Sequence, residues 1–145
     1  MNAPDTVVAS DGTPYRDLNA NGTLDPFEDP RRSAEERADD LLSRLSLAEK
    51  IGLMFQTVIE TGEDGTLLER PGAISNSPSS VVVSANHLTH FNVHGLQSAR
   101  NAARWNNAIQ RLAAQSPHGI PVTISTDPRH AFVENSGVSC AEGAF

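Results

Sequence analysis

The run Asp17-Leu18-Asn19-Ala20-Asn21-Gly22-Thr23-Leu24-Asp25-Pro26-Phe27-Glu28 has the residue types and spacing of a twelve-residue calcium loop. Asp17, Asn19 and Asn21 put hard oxygen donors at loop positions 1, 3 and 5, and Gly22 permits the sharp turn. Thr23 offers its carbonyl, Asp25 acts directly or through water, and Glu28 is the bidentate carboxylate. Two of these donors are neutral amides, Pro26 stands where an exiting helix would begin, and no helix pattern precedes Asp17. A weakly held structural calcium therefore competes with a second reading, an Asx-rich turn whose side chains bond their own backbone.

A second group, Asp127, Arg129 and His130, follows the β-rich run Ile120-Pro121-Val122-Thr123-Ile124-Ser125. α/β barrels build their sites at that end of a strand. A carboxylate that accepts bonds from adjacent hydroxyls, beside a guanidinium and an imidazole that donate, is chemistry for gripping a polyhydroxylated substrate. The competing reading makes Asp127-Pro128 a turn and Arg129 its surface partner. His87, His90 and His94 would share one arc of a helix at zinc-ligand spacing, but Gly95 and the strand-like Phe91–Val93 run interrupt that helix. The sequence has no Gly-rich phosphate loop, Ser-centred nucleophile elbow or paired-Cys metal motif.

The elements that would position these groups are legible in part. Ser33 with Glu36, and Ser46 with Glu49, have the spacing of two capping boxes, in which each side chain satisfies a backbone N–H left open by the first helical turn. The first predicted helix carries Ala38, Leu41, Leu42 and Leu45 on one stripe meant for a core. The second is short, bent away from the first, and continues an apolar face through Ile51, Met54 and Phe55. Residues 61–80 read as a long loop, unusual in a compact domain unless it serves a site. Val81–Val83 fits either a strand by propensity or a helix capped by Ser79 or Ser80. Phe91–Val93 is a short strand, and Ser98 caps a helix with Ala99, Ala102, Ala103, Leu112 and Ala113 near one face and Trp105 and Ile109 at its edges. Strand, helix and strand in that order indicate parallel pairing and an α/β sheet or barrel. No repeat of 20 to 50 residues is visible.

Composition bounds the partners. With 11 Lys plus Arg against 18 Asp plus Glu, the 145 residues carry a net charge of −7, which argues against a nucleic-acid partner. No stretch approaches the ~20 apolar residues of a membrane span, and Met1-Asn2-Ala3-Pro4-Asp5 does not resemble a signal peptide. The lone Cys140 implies no disulfide framework. Compartment and oligomeric state stay open.

Several segments, in order, carry a family resemblance: Tyr15-Arg16-Asp17-Leu18-Asn19 through Glu28-Asp29-Pro30, Arg37 through Gly52, Asn86 through Asn92, Ala103 through Gln110, and Gly119 through Asp127. Together they resemble the amino-terminal part of glycoside hydrolase family 3 enzymes, among them many β-glucosidases. The resemblance implies an α/β fold, the opening and incomplete segment of a (β/α)8 TIM-like barrel that typically takes ~250 residues. Residues 1–32 would be a polar segment containing the loop 17–28, and residues 33–145 part of the catalytic barrel. The implied activity is hydrolysis of terminal β-linked sugars by a retaining mechanism, with a carbohydrate substrate and no cofactor needed for catalysis. Asp127 would hold sugar hydroxyls, flanked by Arg129 and His130. The family's nucleophile and acid/base residue lie on later segments, so no catalytic residue is assigned here and the 145 residues alone are expected to be inactive. Family members are often exported. Two alternatives remain: a non-catalytic calcium-binding or docking module centred on residues 17–28, and an unrelated α/β barrel enzyme.

Overall fold

The computed structural model describes residues 6–125. A short antiparallel hairpin of β1 (Thr6–Val8) and β2 (Pro14–Arg16) leads into a turn-rich segment. Two helices follow, α1 (Ala34–Arg44) and α2 (Leu47–Leu53). The centre is a three-stranded parallel sheet in the order β3 (Gln56–Glu60), β4 (His90–His94) and β5 (Thr123–Ser125), with α3 (Ala99–Ala113) connecting β4 to β5. The described residues thus form an α/β domain with the expected parallel strand-helix-strand unit.

Both capping boxes form. Ser33 Oγ accepts from Glu36 N while the Glu36 carboxylate accepts from Ser33 N, and Ser46 and Glu49 repeat the arrangement. Extended backbone at Leu45, with ψ 135°, separates the two helices and gives the expected bend. Neither helix uses its apolar stripe as expected. Among the described residues α1 buries none of its own, and Leu42, Ile51, Met54 and Phe55 are exposed, with Met54 at 84%. Only Leu45, just past the end of α1, is buried. A cleft of about 240 Å³ separates Ala38 and Leu41 from Ile120 and Pro121.

The core lies on one face of the sheet. Ile59, Phe91 and Val93 pack with Val122 against Trp105, Ile109 and Ala113 of α3, and Val82, Val83 and Leu96 close the cluster. The structure corrects the expected orientation of α3: Trp105 and Ile109 are its buried centre, while Ala99 and Ala103 are exposed. Large side chains spaced four apart bury more apolar area than alanines, so they set the rotation of the helix. Strand β3 has no separate signal in the sequence, because its Gln-Thr-Val-Ile-Glu joins directly onto an apolar helical pattern. Val81–Ala85 is not a strand but a wide helical turn, in which Asn86 N donates to Val81 O over 2.9 Å. No helix among the described residues is long and apolar enough to cross a membrane.

Candidate functional site

Parallel pairing brings residues distant in sequence into rows. Gln56 is level with His90 and Thr123, Val58 with Asn92 and Ser125, and Glu60 with His94. Because side chains alternate across a sheet, these rows occupy the face opposite the α3-covered core. That face is polar: every residue named is polar except Val58. The β4 pattern shows the division within five residues, with Phe91 and Val93 fully buried and His90, Asn92 and His94 partly exposed on the other side. Apart from His90, His94 and the residues around Ser125, nothing in the residue types and spacing marks this surface as a site. The signal was present as the alternation His-Phe-Asn-Val-His, but only strand register shows that the polar halves of three strands coincide.

Hydrogen bonds cross this face. Gln56 Nε2 donates to Ser125 Oγ at 3.1 Å, and His90 Nδ1 lies 3.0 Å from Thr89 Oγ1. Asn92 Oδ1 is buried and has no hydrogen-bond partner among the described residues. A buried acceptor left open in this way is a costly feature unless another donor meets it.

The carboxyl end of the face is fixed by Glu60. Its Oε2 accepts from Ser75 N at 2.7 Å and Ile74 N at 2.9 Å, and its Oε1 accepts from Ala73 N at 3.2 Å. Burial works to raise the Glu60 pKa, but the backbone donors Ser75, Ile74 and Ala73, helped by His94, outweigh it and hold the carboxyl below its ordinary value. Alongside, Thr61 N donates to His94 O and Thr61 Oγ1 to Gly95 O, so β3 and β4 finish together.

β5 is held by a side chain of the helix before it. Gln110 Nε2 donates to Val122 O at 2.8 Å, and Gln110 Oε1 accepts from Val122 N at 3.0 Å. This amide clamp satisfies both backbone groups of Val122 where Pro121 precludes a regular ladder. It fixes the strand that leads toward the expected sugar-binding group. Asp127, Arg129 and His130 themselves lie outside the described residues.

The segment 17–28 is closed upon itself. Asp17 Oδ1 and Oδ2 accept from Asn21 N and Gly22 N, and Asn21 Oδ1 accepts from Thr23 N. Glu28 is buried, and its carboxylate accepts from Leu18 N at 2.7 Å and Asp25 N at 3.2 Å. Asn19 and Asn21 both donate their amides to Asp25 Oδ2 at 2.7 Å, while Arg44 pairs with Asp25 Oδ1 at 2.9 Å. Burial raises the Asp25 pKa, but the Asn19 and Asn21 bonds and the Arg44 charge prevail and leave it below its usual value. The donor set consists of hard oxygens suited to calcium, and Gly22 has the left-handed φ of +76° that the turn requires. As hydrogen-bonded here, the two amide NH2 groups donate to Asp25, while their oxygens accept from Asn21 N and Thr23 N. His87 lies outside any helix or strand, with φ +57°, whereas His90 and His94 lie on β4, so the three histidines share no helix arc. Among the described residues no group of three or more His, Cys, Asp and Glu side chains is arranged to hold a metal ion.

Comparison with known proteins adds a clear kinship. The chain is 38% identical over 128 residues to "Probable beta-glucosidase C" of Aspergillus oryzae, covering 86% of this chain and 19% of the relative. It is 36% identical over 141 residues to "Periplasmic beta-glucosidase/beta-xylosidase" of Dickeya chrysanthemi, covering 96% of this chain and 21% of the relative. It is 35% identical over 132 residues to "Beta-glucosidase C" of Emericella nidulans, covering 89% and 20% respectively. The chain spans about a fifth of the length of these curated relatives. No family model matches it.

Proposed function

We propose that this β-glucosidase-like chain forms the opening part of a β-glycosidase of glycoside hydrolase family 3 type, whose complete form removes terminal β-linked glucose or a similar sugar. The observation that carries the reading is 35–39% identity to β-glucosidases across 82–96% of the chain. The parallel strand-helix-strand unit of β4, α3 and β5 supports it, since such units in succession build a (β/α)8 barrel. In this reading Asp127 accepts hydrogen bonds from adjacent sugar hydroxyls, and Arg129 and His130 donate to the same ring.

The reaction is retaining. A carboxylate outside this chain attacks the anomeric carbon as a second carboxylic acid protonates the departing glycosidic oxygen. Water then attacks the glycosyl-enzyme ester, giving up its proton to the second residue and releasing the nucleophile. Neither group is assigned among these 145 residues, so the chain alone has no turnover. The test is hydrolysis of an aryl β-glucoside by the complete gene product and by the 145-residue chain, with the anomer of the first-formed sugar read by NMR. Retained β-product from the complete protein and none from the chain supports the proposal. Turnover by the purified chain, or an α-product, overturns it.

The loop 17–28 is proposed to hold a structural calcium ion weakly. The occupation of every required position by Asp17, Asn19, Asn21, Gly22, Thr23, Asp25 and Glu28 supports this reading.

A further inference from the structure

We propose that Glu60 is a positioning residue of the sugar site, fastening the segment 72–75 as a fixed wall at the carboxyl end of the polar sheet face; this rests on the glycosidase reading above. A strand-end carboxylate that collects three consecutive backbone N–H groups is an anchor for a loop. One exposed side chain without such bonds could not order the twelve residues between Glu60 and Ala73 against their conformational entropy. The chain beyond Glu60 returns to it through Ala73, Ile74 and Ser75. Gly72 is part of the same fastening, because a Cβ there would overlap the Glu60 carboxylate. Gly72 N donates to Ser75 O at 2.8 Å, which tightens the turn, and Ser79 N donates to Leu68 O at 2.9 Å, which closes the loop at its far end.

The location makes this anchor more than a stabilising contact. Glu60 is level with His94, two positions beyond the row that holds Val58, Asn92 and Ser125. β3 and β5 are separated only by β4, hence by about 10 Å. The chain leaves β5 at Ser125 on the same side of the sheet, and the sugar-binding Asp127 of the proposed function follows two residues later in sequence. The loop therefore stands across one strand from the exit toward Asp127. It presents half-exposed Ile74, an apolar surface of the kind that packs on the aglycone or on a sugar ring face.

The chemistry of bond cleavage is assigned to other segments, so loss of the wall should weaken binding in ground and transition states alike and raise KM while kcat holds. In the complete protein, Glu60→Ala should raise KM for an aryl β-glucoside about tenfold with kcat, per active site titrated with a 2-fluoro glycoside, changed less than about threefold. Glu60→Gln, which keeps one acceptor oxygen, should fall between the two. Amide exchange at residues 73–75 should speed up in Glu60→Ala and not at β4. Unchanged KM per titrated site together with a lower melting temperature would make Glu60 a fold-stabilising group only and would overturn the proposal. An equal fall in kcat at constant KM would overturn it too, by placing the effect on the chemical step. If the unsubstituted complete protein hydrolyses no β-glycoside, the glycosidase reading fails and takes the sugar-site role with it. Faster exchange at 73–75 would then still show the anchor itself.

Discussion

Gly119 is where the turn-rich amino-terminal segment meets the run leading into β5, and its replacement by alanine should reveal how tightly the two are joined. Gly119 has φ +55°, in the left-handed region, and a Cβ there would overlap the Leu18 carbonyl oxygen and lie 3.1 Å from the Leu18 carbonyl carbon. The obstacle is backbone, and Leu18 is held in turn by its N–H bond to Glu28, so neither side yields easily. Two costs therefore add. The left-handed conformation costs a non-glycine residue roughly 1–2 kcal/mol, and forced overpacking typically costs a further 1–3 kcal/mol. Gly12 provides the internal control: its φ is +85° and a Cβ there meets nothing within 4 Å, so Gly12→Ala incurs only the first cost. The chain has one tryptophan, and Trp105 is 1% exposed in the core, so its fluorescence follows unfolding of the sheet and α3 directly. In urea titrations of the chain at low protein concentration, Gly119→Ala should destabilise by about 2–5 kcal/mol. With a slope of about 2 kcal/mol per molar, the midpoint would fall by at least about 1 M. Gly12→Ala should shift it by about 0.5–1 M, less than Gly119→Ala does, because it lacks the overpacking cost. Equal shifts for the two substitutions would refute the close approach of Leu18 and Gly119 and with it the described docking of the amino-terminal segment.

Three further outcomes are expected. Exposed Leu47, Ile51, Met54 and Phe55 should make the 145-residue chain self-associate; the double substitution Met54→Lys, Phe55→Lys should shift it toward monomer in light scattering without moving the Trp105 emission maximum. Hydrogen bonding to Arg31 holds the Asp29 carboxyl at about 2, below its unfolded value of 3.8. Such a depressed carboxylate contributes stability above its unfolded pKa, and that contribution is lost as pH falls from about 4 toward 2. Asp29→Asn should therefore flatten the acid limb of the stability curve in this window, as read by unfolding midpoints at stepped pH. Calcium binding in the loop 17–28 predicts a rise in melting temperature of the complete protein in millimolar calcium, worth about 1.4 kcal/mol at ten times the dissociation constant. Asp17→Asn should abolish the rise, and an unchanged melting curve for the unsubstituted protein would remove the calcium proposal.

Local rules made a good share of the fold legible. The capping boxes at Ser33 and Ser46, the Ser98 cap and the β4 strand each depend on interactions within a few residues, and all formed. The parallel unit of β4, α3 and β5 followed from element order alone. The rotation of α3 does not follow from its alanines, because the burial of Trp105 and Ile109, two larger side chains, decides the packing. β3 was hidden because no local signal separates the end of α2 from a strand that starts three residues later. Of the site, residue types and spacing marked the donors of the loop 17–28 and the group Asp127, Arg129 and His130, and the resemblance added the sugar-holding role of Asp127. The Glu60 anchor and the Gln110 clamp on Val122 were invisible in the sequence.

The amino-acid sequence by itself determined where helices start, which residues could bear chemistry and which family the chain resembles, since these depend on short spacings and residue types. Tertiary structure alone decided that Glu60 meets residues 73–75, that Gln110 holds Val122, and that the polar halves of three strands share one face. Those contacts depend on register between segments up to 69 residues apart, as for Gln56 and Ser125. Register is set by simultaneous burial of apolar side chains on the opposite face, an energy that belongs to the assembled sheet and to no single segment.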